Sequence, residues 1–244
     1  MDEAAVERLG AAPPAADLAE VRAADTREEI AALMGRTQGG FGASLFGLAI
    51  FEDLKDPDAN SAYIFQGGLG LPDRDYYLEA SFAEQRTAYQ AYIRKVLELA
   101  GWPDAAAAAA DIVAFETRIA EQHWTAVESR QIDKLHNPTT VADLTASAPG
   151  FDWGAWAEAA GVGRDRTLIA GNDTAFPGMA RVFAETPVET LQSWQAFHVA
   201  DQAAPYLSSA FVDANFDFYG KVLGGQPEDR PRWRRGVQLV GGGL

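Results

Sequence analysis

The side chains that could do chemistry in this chain are few and scattered. Its histidines are His123, His136 and His198, and it has no cysteine. A catalytic zinc site takes three protein ligands, and a helix supplies two of them most economically as histidines four residues apart with a glutamate between them as general base. No two of these histidines fall within one helical turn, so a shared metal would need three distant segments to converge. His123 ends the apolar stripe of a helix and precedes Trp124, and His198 sits beside Phe197 on another helix, so both read as packed imidazoles. His136, ahead of Asn137-Pro138, is expected to lie exposed in a loop without a partner. Catalytic, cofactor-binding and metal-ligating residues are each assigned as none.

Other chemistries fare no better. Nucleophilic serine would want a Gly-x-Ser-x-Gly elbow or a Ser-x-x-Lys, and neither surrounds the serines present. The glycine-rich stretch Gly67-Gly68-Leu69-Gly70-Leu71-Pro72-Asp73-Arg74-Asp75 lacks the Lys-Ser/Thr of a phosphate loop and puts carboxylates where phosphate would sit. Acidic residues are plentiful, but abundance does not make an acid/base pair, and acids such as Glu28, Glu29 and Glu98 fall at helix starts or on polar faces. Asn172-Asp173-Thr174 fits a glycosylation acceptor and is treated as incidental.

The 35 Asp and Glu against 20 Lys and Arg give a formal net charge of −15. That charge repels nucleic acid and anionic lipid at long range. The one basic cluster, Arg230, Arg232, Arg234 and Arg235 around Trp233, reads as a solvated or ion-paired helix start. The absence of cysteine leaves the redox compartment open. The acidic amino terminus has no apolar targeting segment, and no later stretch reaches about 18 consecutive apolar residues.

The elements that must position these residues are mostly helical. Residues 15–36 form two short helices, the second opened by a Thr26/Glu29 capping box. Residues 44–51 and 61–66 flank Asp56-Pro57-Asp58-Ala59-Asn60 and form one β-hairpin. A long amphipathic helix starts at Ser81, with Glu84 as its capping partner, and stops at Gly101 and Pro103. The next begins at Asp104 with six alanines and carries Ile112, Phe115 and Ile119 as a buried stripe. Thr140 with Asp143, and Thr186-Pro187 with Glu189, mark further helix starts. Residues 172–178 are irregular, a loop and a kinked helix. Pro205 to Leu223 is an aromatic-rich helical run ended by Gly224-Gly225, with another helix from about Asp229. The fold class is therefore mainly α, one multi-helix domain over 1–244 with a small hairpin near residues 44–66.

The stretch Gly67 to Leu78, Gly-Gly-Leu-Gly-Leu-Pro-Asp-Arg-Asp-Tyr-Tyr-Leu, closely resembles a signature of the neprilysin-like and endothelin-converting-enzyme-like zinc metallopeptidases. The resemblance continues in family order through Glu128-Ser129-Arg130, Asp133-Lys134, Asn137-Pro138-Thr139, Phe211 to Tyr219, Gln226-Pro227 and Arg232-Trp233-Arg234-Arg235. His136 stands where relatives usually have tyrosine, and Gly241 replaces an asparagine. Physically the signature is a structural corner: glycines open unusual backbone conformations, Pro72 fixes the exit and Tyr76-Tyr77 anchor the loop against helices.

The resemblance implies a fragment of the amino-terminal lid domain, facing a thermolysin-like catalytic domain of the same polypeptide across a chamber that admits oligopeptides. It implies zinc for the full-length enzyme, held by a His-Glu-x-x-His helix beyond the position of Leu244. The family implies a periplasmic, cell-surface or secreted setting. On this reading both ends of the domain lie outside the chain, the catalytic domain is absent, and the chain is inactive alone. The alternative is a standalone helical module, derived from that lid, that binds peptides or a protein partner.

Overall fold

Polar residues open two of the first three helices: the Asp2 carboxylate accepts from the Ala5 amide at 3.0 Å, and Thr26 caps the third. The computed structural model describes residues 2–37, 40–229, 232–234 and 237. Helices α1 (Glu3–Leu9) and α2 (Ala15–Ala23) lead to α3 (Arg27–Arg36). The Thr26 hydroxyl accepts from the Glu29 amide at 3.2 Å while the Glu29 carboxylate accepts from the Thr26 amide at 3.0 Å. This closes the expected capping box and satisfies two orphan donors of the first turn.

Strands β1 (Phe46–Glu52) and β2 (Asn60–Gln66) form the hairpin, in register from Phe46 opposite Gln66 to Glu52 opposite Asn60. Its turn is tied by Asp53, whose carboxylate accepts from the amides of Lys55 at 2.8 Å and Asp56 at 3.2 Å and from the Ser61 hydroxyl at 2.6 Å. The hairpin does not stand alone. Strands β3 (Asn137–Thr139) and β4 (Leu168–Ala170) extend it to a four-stranded sheet in the order β1-β2-β4-β3. β4 runs parallel to β2 and antiparallel to β3. Both added strands are three residues long, too short for an alternating pattern to register in sequence.

Behind the signature lies α4 (Asp75–Leu78), then α5 (Ala83–Leu99) and α6 (Ala105–Gln122), followed by α7 (Val141–Ser147), α8 (Trp153–Ala159), α9 (Phe176–Glu185), α10 (Val188–Ala203) and α11 (Ser209–Asn215). The Thr140/Asp143 capping box opens α7 as expected. Two other expected caps are not made. Ser81 lies in a 3-10 turn, Ala80–Phe82, where its hydroxyl donates to Glu79, and α5 starts without a side-chain cap. The Thr186 hydroxyl instead closes the end of α9, donating to the Val182 carbonyl at 2.6 Å, and Pro187 occupies the cap of α10. A hydroxyl between two helices serves whichever end its backbone brings nearer, which spacing alone does not reveal.

The irregular segment 172–178 resolves into a 3-10 turn, Asp173–Ala175, running straight into α9 with Pro177 in its first turn. From Phe216 to Leu223 the chain continues α11 as a π-helix. Residues 232–234 are helical, and Arg232 donates to the Leu207 carbonyl at 2.7 Å. Arg230, Arg235 and the Gly241 tail lie outside the described residues.

One buried cluster runs from Leu18 to Phe218. The Ile112, Phe115 and Ile119 stripe of α6 is buried in it as expected. Phe46 anchors the sheet there, its ring 4.2 Å from Trp153, 4.8 Å from Phe151 and 5.1 Å from Phe176, centroid to centroid. Where the chain enters β1, α10 reads its backbone with two amide side chains. Gln202 accepts from the Gly42 amide at 3.1 Å and donates to the Gly42 carbonyl at 2.6 Å, and Gln195 does the same to Ala43 at 3.3 and 2.7 Å. No helix among the described residues is long and apolar enough to cross a membrane.

Candidate functional site

The signature loop is built around one hydroxyl. Tyr77 folds back from α4 so that its oxygen accepts from the amides of Gly70 at 3.1 Å and Leu71 at 2.9 Å, and it donates to Glu116 at 2.6 Å. Tyr76 holds the outer side of the turn, stacked on Phe82 with centroids 4.2 Å apart. Gly70 must be glycine because a Cβ there would lie 1.9 Å from the Tyr89 hydroxyl, and Gly68 takes φ +86°, a conformation that costs other residues energy. The loop is thus a corner, closed by its own tyrosine.

Glu116 is the pivot. It has no exposed surface, and each of its oxygens takes two donors. Oε2 accepts from Tyr77 and from Tyr89 at 2.9 Å, and Oε1 accepts from Trp194 Nε1 at 2.9 Å and His198 Nε2 at 3.0 Å. One carboxylate therefore joins α4, α5, α6 and α10. Burying a carboxylate is costly unless its lone pairs are filled, and here they are. Burial, and next the charge of Glu116, raises the ionisation of Tyr77 and of Tyr89 well above the ordinary phenol range, so both remain hydrogen-bond donors.

Further along α10, Asp201 accepts from the hydroxyls of Tyr92 at 2.5 Å and Tyr219 at 3.2 Å, and Asn215 donates to the Tyr92 oxygen at 3.0 Å. Burial raises the Asp201 pKa against the effect of these donors. The π-helix serves this network by turning the consecutive Phe218 and Tyr219 both toward Tyr92, at ring distances of 5.0 and 5.5 Å.

The three histidines are held apart by separate partners. His198 donates to Glu116, and His123 donates from Nε2 to the Gly67 carbonyl at 3.1 Å, both buried as expected. Burial pushes the His123 pKa down to about 4, so the ring is neutral at pH 7. The expectation for His136 fails. Its side chain is only 10% exposed and its Nε2 lies 3.0 Å from Asp53. The turn of the hairpin thus meets His136, a contact between segments some eighty positions apart in sequence. Hydrogen bonds from Ser61, from the Lys55 amide and from His136 hold the Asp53 carboxyl down to about 2.

With each imidazole committed to its own carbonyl or carboxylate, these residues do not fit a zinc site. Among the described residues no group of three or more His, Asp or Glu side chains is placed to hold a metal ion. The glycosylation triplet is also spent on structure. Asn172 is 3% exposed, accepts from the Gln66 amide at 3.3 Å and donates to Ser129 at 3.4 Å.

Glu116 and Asp201 were not singled out by the sequence patterns. Glu116 nevertheless leaves a trace: it falls between Phe115 and Ile119, four residues after Ile112, inside the apolar stripe of α6. A carboxylate in such a stripe needs buried donors. Between the signature loop and the turn after α6 lies a cavity of about 290 Å³ lined by Gly67, Leu69, Pro72, Arg74, His123 and Trp124, among others.

A family model described as peptidase family M13, of the amino-terminal region, matches residues 1–244. Human endothelin-converting enzyme 1 (Homo sapiens) is 24% identical over 197 residues, covering 78% of this chain and 26% of that protein. Neprilysin-3 of Drosophila melanogaster is 32% identical over 113 residues, 45% of this chain and 14% of that protein. Among solved structures, the zinc metalloprotease Zmp1 of Mycobacterium tuberculosis in complex with an inhibitor superposes with a TM-score of 0.92 at 35% identity, over 98% of this chain and 37% of that one. Its open state gives the same TM-score at 34% identity. The chain thus spans about a quarter of the curated endothelin-converting enzymes that it matches.

Proposed function

The chain belongs to peptidase family M13, as part of its amino-terminal domain, and on that premise we propose that it is the non-catalytic lid of a zinc metalloendopeptidase. In this reading residues 1–244 form one helical domain of a longer polypeptide. The domain supplies a wall of the substrate chamber and restricts entry to oligopeptides. A separate catalytic region supplies the zinc, which polarises the scissile carbonyl and activates water.

The observation that carries the reading is how the signature is used. Gly68 and Gly70 let the chain turn tightly against Tyr77 and Tyr89, and the Tyr77 hydroxyl and the Glu116 carboxylate, the groups that could do acid or base work there, are spent on holding that corner. Such a corner gives a wall its shape and offers a substrate no nucleophile or acid. The share of Zmp1 that the chain covers supports a division of labour with another region.

The pure 244-residue chain, given zinc and a quenched oligopeptide, is expected to show no chelator-sensitive turnover. Mixed with the zinc-binding remainder of the polypeptide, it is expected to suppress cleavage of folded proteins while short peptides are still cut. Equal cleavage of folded proteins by the remainder with and without this chain would sink the size-restriction role.

A further inference from the structure

The cavity beneath the signature loop is lined by a cation whose hydrogen-bonding capacity the fold uses only in part. Arg74 closes one side of it. Its Nε donates to the Ala120 carbonyl at 3.2 Å, in the last turn of α6, where a cation complements the helix end. That is the hydrogen bond its guanidinium makes among the described residues, and no carboxylate there lies within ion-pairing distance of it. In a chain of net charge −15, this half-buried guanidinium has its charge answered only at longer range, by Glu128.

The surroundings suit an anion with one charge. The amides of Gly68 and Leu69, on the same loop, enter none of the hydrogen bonds that tie Gly67, Gly70 and Leu71. Leu69, Pro72 and Trp124 offer apolar surface beside the guanidinium. The neighbouring acids bond to amides and hydroxyls and not to the guanidinium: Asp73 accepts from the Asp75 amide at 2.9 Å, and Glu128 from the Thr125 amide and hydroxyl, both at 2.8 Å, bonds that with the more distant charges of Lys134 and Arg74 hold its carboxyl below the ordinary range. Asp73 still lines the cavity, and its charge weighs against a dianion. His123, across the cavity, is neutral at pH 7 and already donates to Gly67.

We propose that this cavity is a carboxylate-binding site, in which the free Nη groups of Arg74 form a fork on the carboxylate of a peptide and Leu69, Pro72 and Trp124 pack its apolar neighbour. A planar guanidinium matches a carboxylate bidentately, which a lysine does not. The proposal deepens the lid reading by naming what the wall holds, and it rests on that reading only for the ligand being a peptide.

Three probes test it on the 244-residue chain, followed by the NMR signals of the Arg74 Nε–H and the His123 ring: acetyl-Ala-Leu with a free carboxyl terminus, the same dipeptide as its amide, and acetyl-Ala-Glu amide. At least one carboxylate form is expected to bind about tenfold or more tightly than the amide. Tight binding of acetyl-Ala-Leu assigns the site to chain termini, and tight binding of acetyl-Ala-Glu amide assigns it to acidic side chains. Arg74→Lys is expected to lose most of that preference. Ala126→Trp, which blocks the cavity from its exposed rim and leaves the Arg74 to Ala120 contact in place, is expected to abolish binding. Equal binding of acid and amide, no binding of either carboxylate probe, or binding indifferent to Ala126→Trp would each overturn the proposal. Because the readout is binding and not turnover, it stands or falls separately from the size-restriction experiment.

Discussion

The hydroxyl of Tyr77 lies 2.6 Å from Oε2 of Glu116, and through that contact the signature loop is bolted to a carboxylate thirty-nine positions away. The loop, α5, α6 and α10 share this one acceptor group.

Removing the acceptor is expected to unsettle all four elements together. Glu116→Ala leaves two phenols, an indole and an imidazole without their buried partner, and loss of one side of a buried charged network typically costs about 3–5 kcal/mol. Urea denaturation should show a lower midpoint of this size. An unchanged midpoint would mean that the network adds nothing to stability.

Tyr77 and Tyr89 separate the contributions. Tyr89→Phe removes one hydrogen bond to Glu116, for about 1 kcal/mol, whereas Tyr77→Phe also strips the amides of Gly70 and Leu71, for about 2–4 kcal/mol. Hydrogen exchange at those two amides should accelerate in Tyr77→Phe and not in Tyr89→Phe. Equal behaviour of the two variants would contradict the account of the corner.

Gly70→Ala places a methyl 1.9 Å from the Tyr89 hydroxyl and 2.7 Å from its ring carbon. Overpacking of this kind costs about 1–3 kcal/mol. Adding Tyr89→Phe removes the nearer clash and not the farther, so the double variant should recover part of the loss. A double-mutant cycle with no coupling would exclude the close approach as the reason for glycine.

His123 sets an acid limit. Its pKa falls from 6.5 to about 4 on folding because burial disfavours the imidazolium. The unfolded chain therefore binds more protons in this window, so the contribution of the neutral ring is fully present above pH 6.5 and is lost as pH falls toward 4, by up to about 3 kcal/mol. Asp53, held down to about 2, loses its contribution only at still lower pH, between 3.8 and 2. His123→Gln keeps a donor for Gly67 and does not titrate. Its denaturation midpoint should drop less than that of the parent chain between pH 7 and pH 5, and an equal drop would rule His123 out.

Much of the architecture was legible in local sequence. The capping boxes at Thr26 and Thr140, the stripe on α6 and the hairpin follow from interactions within a few residues, which spacing records directly. The signature loop was also legible as a corner, because glycines and a proline restrict backbone choices wherever they occur. Ser81 and Thr186 show the limit: the same Ser/Thr-x-x-Glu spacing produced no box where another acceptor lay nearer.

What only the tertiary structure decided is which polar groups meet. Glu116 had the sequence setting of an ordinary helix acid until α4, α5 and α10 brought it four donors. His136 had that of an exposed loop residue until the hairpin turn laid Asp53 against it. Arg74 belongs to a motif, yet the place of its guanidinium beside a cavity depends on where α6 ends. Helix periodicity and turn chemistry are properties of neighbours in the chain, so sequence determined the helical class and the family corner. Burial and pairing across dozens of residues are properties of the packed whole, and no local pattern encodes them.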